Sequence, residues 1–314
     1  MSPKFLSAKV SIDSLPKVQN IQKINDTFIS KSDKYTVSVP LDSAGSIMLK
    51  EKISKAFKKA KSKKGTYNFM LSLPNKDTAT FSGQAKVSKD NSIVYKDYQE
   101  NTDVVVQALE EGSLRILTIL NDADAPREYI YNVNLPIGGH MKKKDDGSIS
   151  ILDANKKFIG AFTPAWAIDK SGKHVPTHYE IKGNKLVQVV DHLSGNYTYP
   201  IVADPYYGTK MVKNAYWRKW PRAGNGWYDY RLYVIPTKFG RSLKGKFYGA
   251  QGWRELQGMV WYLNYNRESL IKQYVCHVHF GWIRAKTEYH LEQWSPNKPY
   301  ATVLAWGCNV PGHI

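Results

Sequence analysis

From residue 66 to residue 203, apolar and polar positions alternate in short runs. TYNFMLSL (66–73), TATFSGQAKVS (78–88), NSIVYK (91–96), TDVVVQAL (102–109), SLRILTIL (113–120), REYIYNVN (127–134), THYEIKG (177–183) and KLVQVVDH (185–192) are examples. A period of two sends successive side chains to opposite faces, and β-branched and aromatic residues fit a pleated, half-buried surface. Turn formers separate the runs: Asn75, Asp145-Asp146-Gly147, Ser171-Gly172, Gly183-Asn184 and Ser194-Gly195-Asn196. This spacing predicts an antiparallel sheet or sandwich. Residues 35–40, YTVSVP, read as a first strand. Residues 44–64 place Ile47, Met48, Ile53 and Phe57 among lysines and read as one short basic amphipathic helix. Its apolar stripe would pack on the protein's own sheet or touch a membrane surface. Residues 1–34, of low hydrophobicity and no period, read as a flexible lead or pro-segment.

Beyond residue 205 the pattern becomes mixed. NAYWRKW and YRLYVIPT read as strands, and TKFGRSLKGKFYG as a loop. Trp253, Leu256, Val260 and Leu263 predict a helix over 251–266. Residues 272–283 and 286–294 read as a pair of strands around Gly281. The expected architecture is a β-rich N-terminal carrier or propeptide domain, 35–204, followed by a small α+β domain, 205–314.

Composition marks the same boundary, with Asp204-Pro205 as the expected hinge. Seven of the nine arginines and eight of the nine tryptophans follow residue 210. Residues 205–314 hold 16 Lys+Arg against 5 Asp+Glu, which is +11 of the chain's formal +18. Such a surface favours anionic partners: nucleic acid, acidic lipid headgroups or wall polymers. There is no run of 18 apolar residues, so no transmembrane segment is expected. No phosphate loop, Rossmann fingerprint, nucleophile elbow, CxxC or HExxH occurs, so no nucleotide cofactor is expected.

The first twenty residues contain no apolar core of a signal peptide, which taken alone points to the cytosol. The cysteines point the other way. Cys276 and Cys308 flank one dense aromatic block and read as a disulfide. With their spacing, it would contribute about 3–4 kcal/mol in the chain-entropy model. That pairing implies an oxidising compartment, hence a secreted protein.

Candidate chemistry gathers in the same block. On a strand, His277 and His279 would share a face. Together with His290, Glu288 or Glu292 on a neighbouring strand they would make a zinc triad; otherwise no cofactor is predicted. The same imidazoles could act as general base and acid on a phosphodiester or ester. Arg241, Arg254 or Arg284 would then neutralise developing charge. The catalytic set on this reading is His277, His279, Glu292 and Arg241. Glu255 and Glu292, acids in a basic domain, are expected to have cationic partners. Trp217, Arg218, Trp220, Arg222 and Trp227 interleave aromatic and basic residues. That pattern suits stacking on bases or sugars, a membrane headgroup region, or the core of a small domain.

The tail carries a series of short motifs: Pro236-Thr237, Gly240-Arg241, Trp253-Arg254-Glu255, Cys276-His277, the run Tyr289 to Pro296, and Cys308-Asn309. In these it resembles the secreted bacterial domain of unknown function 2599, over residues of about 210–312. The family form carries Trp-Asn where this chain has Tyr289-His290, and Arg where it has Ser295. Residues of about 148–205, ending in Tyr199-Pro200-Ile201-Val202-Ala203-Asp204-Pro205, resemble a β-rich segment. That segment precedes differing C-terminal domains in exported Gram-positive proteins. The two resemblances imply secretion and an antibacterial, bacteriocin-like cargo acting on an envelope component or another polyanion. An immunity protein would be its partner in the producing cell. A non-catalytic wall- or glycan-binding module and a His-dependent hydrolase are the alternatives.

Overall fold

The computed structural model describes residues 18–32, 35–51, 68–109, 112–221, 228–280 and 287–312. The chain divides into two compact units, Met1–Thr209 and Lys210–Ile314.

The N-terminal unit is built of antiparallel sheets. Strands β1 (Gln22–Ile24), β2 (Thr27–Lys31), β3 (Tyr35–Pro40), β4 (Ser46–Glu51) and β5 (Asn68–Ser72) form a five-stranded sheet in chain order. Burial alternates along β3, with Tyr35, Val37 and Val39 inward, as a half-buried strand requires. Residues 46–51, expected to open the basic helix, belong to this sheet. Ile47 and Leu49 are buried while Met48 and Lys50 are not, which is a period of two rather than 3.6. The remainder of that expected helix, 52–64, lies outside the described residues. Gln22 to Lys31, read as part of a flexible lead, supply the first two strands.

Next come β6 (Lys86–Val87), β7 (Ile93–Gln99), β8 (Thr102–Leu109), β9 (Ser113–Leu120), β10 (Glu128–Asn132), β11 (His140–Lys143), β12 (Ile149–Leu152) and β13 (Phe158–Phe162). They are followed by β14 (Trp166–Ile168), β15 (Thr177–Lys182), β16 (Lys185–Val190), β17 (Ile201–Asp204) and β18 (Tyr206–Gly208). A ten-stranded sheet runs β11-β12-β13-β18-β9-β8-β7-β6, with β17 also on β9 and β14 on β17. Strands β10, β16 and β15 form a three-stranded sheet. One apolar cluster, from Phe28 to Tyr207, joins residues of all three sheets. Asp204 ends β17 and Tyr206 begins β18, and both strands pair with β9. The compositional boundary therefore lies inside this unit. There the buried Asp204 carboxylate meets Arg115 Nε at 2.9 Å.

The C-terminal unit has a three-stranded antiparallel sheet, β19 (Val212–Pro221), β20 (Tyr228–Pro236) and β21 (Tyr289–Glu292), with β20 central. Its helices are α1 (Lys238–Ser242), α2 (Lys246–Met259), α3 (Arg267–Phe280) and α4 (Tyr300–Ala305). No described helix is long and apolar enough to cross a membrane. Helix α2 starts earlier and ends earlier than the spacing predicts, and α1 lies in the expected loop. The larger difference is α3: residues 272–280 are helical, not a strand. Its buried stripe is Leu270, Gln273, Tyr274 and His277, at helical spacing, but two of the four are polar.

Candidate functional site

The sheet of the C-terminal unit has two unlike faces. Alternation puts Leu232, Val234, Tyr289 and Leu291 on the inner face, all buried. There Tyr289 packs against Tyr274 of α3, which in turn packs against Trp253 of α2.

A polar clamp is built into that interior. Cys276 and Cys308 are disulfide-bonded, with Cα atoms 5.4 Å apart. The next residue on each side extends the link. His277 Nε2 donates to the Asn309 side-chain oxygen and to the His290 carbonyl, each at 3.2 Å. Asn309 Nδ2 donates to the same carbonyl at 3.0 Å. The His277 ring also stacks on Tyr289, 5.3 Å between centroids and 6° between planes. His277 is 1% exposed. Two residues along a helix lie about 200° apart. His277 and His279 therefore do not share a face, contrary to the strand reading. His279 sits partly exposed against Phe280.

Other motif residues serve the same frame. Thr237 caps α1, accepting from Gly240 N at 2.7 Å and donating to the Lys210 carbonyl at 2.6 Å. A Cβ at Gly240 would collide with the Met211 carbonyl oxygen, which explains glycine there. Glu255 accepts from the backbone N–H of Met211 and Val212, at 3.0 Å each, and so fixes the start of β19. Arg241 follows Gly240 on α1. Burial pushes the Tyr289 hydroxyl up to about 12, and the Arg241 guanidinium partly opposes that rise. Gln273, fully buried, brackets Glu292: its amide donates to the Glu292 carbonyl at 3.0 Å and its oxygen accepts from Glu292 N at 2.6 Å.

The outer face is a ladder of rings and guanidinium groups. Cross-strand register aligns Tyr216, Tyr233 and His290 in one row, and Arg218, Arg231 and Glu292 in the next. Tyr216 and Tyr233 stack, 5.4 Å apart and 4° from parallel, and His290 lies 4.5 Å from Tyr233. Arg218 sits 5.1 Å from both tyrosine centroids. Arg231 lies 3.6 Å from the Trp220 centroid and 5.3 Å from that of Trp294, and pairs with Glu292 at 2.8 Å. Its charge is thereby matched. Arg218 is exposed, and among the described residues no carboxylate pairs with it. His290 Nε2 meets Glu288 Oε1 at 2.7 Å on a part-exposed site.

The predicted residues thus separate. Arg218 and Trp220 share the outer face with Glu292, while Trp217 points to the opposite side, its Nε1 donating to the Trp261 carbonyl at 3.0 Å. Arg222, Trp227 and Arg284 lie outside the described residues. Among the described residues, no group of three His, Cys, Asp or Glu side chains is placed to hold a metal. Arg231 belongs to the same interleaved run, and Tyr216 and Tyr233, absent from the sequence reading of the site, complete the ladder. The signal for them was the alternation of Tyr230 to Ile235 read together with that of Asn214 to Lys219.

No curated protein matches the chain. Residues 212–311, nearly the whole of the C-terminal unit, match the family model described as "Protein of unknown function (DUF2599)".

Proposed function

We propose that this chain is a secreted antibacterial protein of bacteriocin type, in which the C-terminal unit engages an anionic polymer of the Gram-positive envelope. The outer sheet face is the contact surface. The observation that carries this reading is Arg218, held over two stacked tyrosines, exposed and, among the described residues, unmatched by a carboxylate. Its surroundings strengthen it, since the segment 205–314 has a formal excess of +11. A guanidinium over an aromatic platform stacks on a sugar or base and neutralises a phosphate in one contact. The N-terminal unit is the carrier. The disulfide supports export, because such bonds persist in oxidising compartments.

The test is exposure of a panel of Gram-positive bacteria to the oxidised full-length chain, its disulfide-reduced form, and an Arg218→Glu variant. Killing by the first and not by the other two supports the reading. Equal killing by the variant removes the outer face from it. Wall binding without killing selects the non-catalytic binding module instead.

A hydrolase reading is better placed at His290 than at His277. The His277 ring is buried and committed to Asn309 and a carbonyl, so it has no access to a substrate. His290 is accessible, with Glu288 to orient its ring. Turnover of a phosphodiester or ester that disappears in His290→Ala, with unchanged folding, would establish this reading; full retention would dismiss it.

A further inference from the structure

The connection between α2 and α3 exposes more aromatic surface than any core or fold role requires. Met259 is 42% exposed, Trp261 82%, Tyr262 58% and Tyr265 61%. All four lie within seven consecutive residues, Met259-Val260-Trp261-Tyr262-Leu263-Asn264-Tyr265. Exposed large apolar side chains scattered singly need no explanation, whereas a contiguous group does.

The loop is anchored from below. Leu263 is buried. Asn266 donates through Nδ2 to the Gln293 and Ser295 carbonyls, at 2.8 and 2.7 Å. The Trp261 carbonyl accepts from Trp217 Nε1 at 3.0 Å. Tyr262 has φ +69°, a left-handed conformation that a bulky residue rarely adopts. Held this way, its ring stacks on Tyr265, 6.5 Å between centroids and 7° between planes, and packs edge-on to Trp261 at 5.9 Å. The backbone is fixed while the rings stand out in solvent.

We infer that this loop is a membrane-docking element that sets Trp261, Tyr262 and Tyr265 into the headgroup region of an anionic phospholipid bilayer. Three observations favour lipid over a sugar or a protein groove. Trp and Tyr prefer that interface because each has an apolar body and a polar handle. The rings protrude together from a loop, a shape suited to entering a headgroup layer, whereas small-molecule sites are concave and cover their ligands. Charge agrees at the level of the unit: the loop 259–266 contains no carboxylate, the exposed Arg267 and Glu268 that follow it balance, and the whole segment 205–314 has a formal charge of +11. Attraction of the whole unit to an anionic leaflet would bring the loop to the surface, and ring insertion would hold it there. This surface lies on a different element from the outer sheet face, so the inference stands or falls separately from the polymer-binding reading.

The probe is a pair of vesicle preparations, one of phosphatidylcholine alone and one containing about a third phosphatidylglycerol, a composition in the range where anionic surfaces attract basic proteins. The oxidised full chain is sedimented with each. Binding to the anionic vesicles is expected, and Trp261→Ala with Tyr265→Ser should weaken it about tenfold. Trp261→Phe should restore part of it, and bromine-labelled acyl chains should quench Trp fluorescence in the parent but less in Trp261→Phe. Near-UV circular dichroism and thermal melting confirm that the variants fold; both positions are exposed, so little change is expected. Arg218→Glu should weaken wall-polymer binding while leaving ring insertion in place. No binding to anionic vesicles, or equal binding and quenching by the loop variants, overturns the inference. Loss of isolated-wall binding in the loop variants with vesicle binding intact would overturn it too, in favour of a saccharide site.

Discussion

The two units of this chain hold together interiors of unequal size by different means. The N-terminal unit rests on a large apolar cluster and contains no cysteine; its buried polar links, among them Thr118 with Tyr131, Gln107 with Ser92 and Asp204 with Arg115, lie within a much larger apolar interior. The C-terminal unit has a small interior and fills it with polar links: Cys276–Cys308, His277 with Asn309, Gln273 with Glu292, and Thr237 with Gly240. The difference follows from size. A small domain buries too little apolar surface to offset chain entropy comfortably, so cross-links and satisfied hydrogen bonds carry a greater share. It also has a consequence for function. With those residues occupied inside, the outer sheet face and the α2–α3 loop are the exposed surfaces to which we assign partner contact.

The comparison breaks most sharply at the ion pair. Above about pH 7, where Asp204 is ionised, Arg115→Ala leaves a carboxylate uncompensated in the core and should cost the N-terminal unit about 3–5 kcal/mol, and less below that pH. Hydrogen exchange should show lost protection across β8, β9 and β17 while β19–β21 keep theirs. The converse is removal of the disulfide: Cys276→Ser with Cys308→Ser should cost the C-terminal unit about 3–4 kcal/mol. In that variant the protection lost should be in α3 and β21. His277→Ala is expected to cost about 2–3 kcal/mol, since Asn309 and the His290 carbonyl lose their buried partner. A melt of the oxidised variant checks it.

A gentler perturbation is pH. Burial raises the Asp204 carboxyl to about 7, from an ordinary value of 3.8, against the opposing pull of Arg115. Between those values the folded chain holds a proton that the unfolded chain releases. Stability of the N-terminal unit should therefore fall as pH rises from about 4 to about 7, and this contribution should level off above. Urea titrations across that range should show the slope, and Asp204→Asn should flatten it. The smallest effect on stability belongs to Arg218→Glu, within about 0.5 kcal/mol because the side chain is exposed.

These contrasts also explain what the sequence made legible. The strands of 102–120 were readable because apolar residues crowd both faces of a central pair and a turn interrupts them. Residues 272–280 were not. Their helical stripe includes Gln273 and His277, so hydrophobic periodicity is broken at its core, and the density of Val, Cys, Tyr and Phe imitates a strand. The start of α2 was hidden by glycines. Gly252 sits where α2 meets α3, and a Cβ there would collide with the Tyr274 ring. At Ile47 the lysines that follow suggested a helix, although burial alternates. For the site, the disulfide was legible because both cysteines flank one aromatic block, and Arg218 and Trp220 stood out in a run that interleaves aromatic and basic residues. The role of His277 was not, because burial and the arrival of Asn309 from 32 residues away are tertiary facts. A single period-two step likewise separates Trp217 from its neighbours, and only the strand register shows which way it turns.

The central claim is that the outer sheet face of the C-terminal unit meets an anionic envelope polymer. The most direct measurement is binding of the full-length chain to purified Gram-positive cell walls across a salt series, beside Arg218→Glu. The account predicts that the parent binds tightly at low salt and weakens steeply as salt rises, and that the variant binds about tenfold more weakly with a shallower dependence. Equal affinity and equal salt dependence for the two would contradict it.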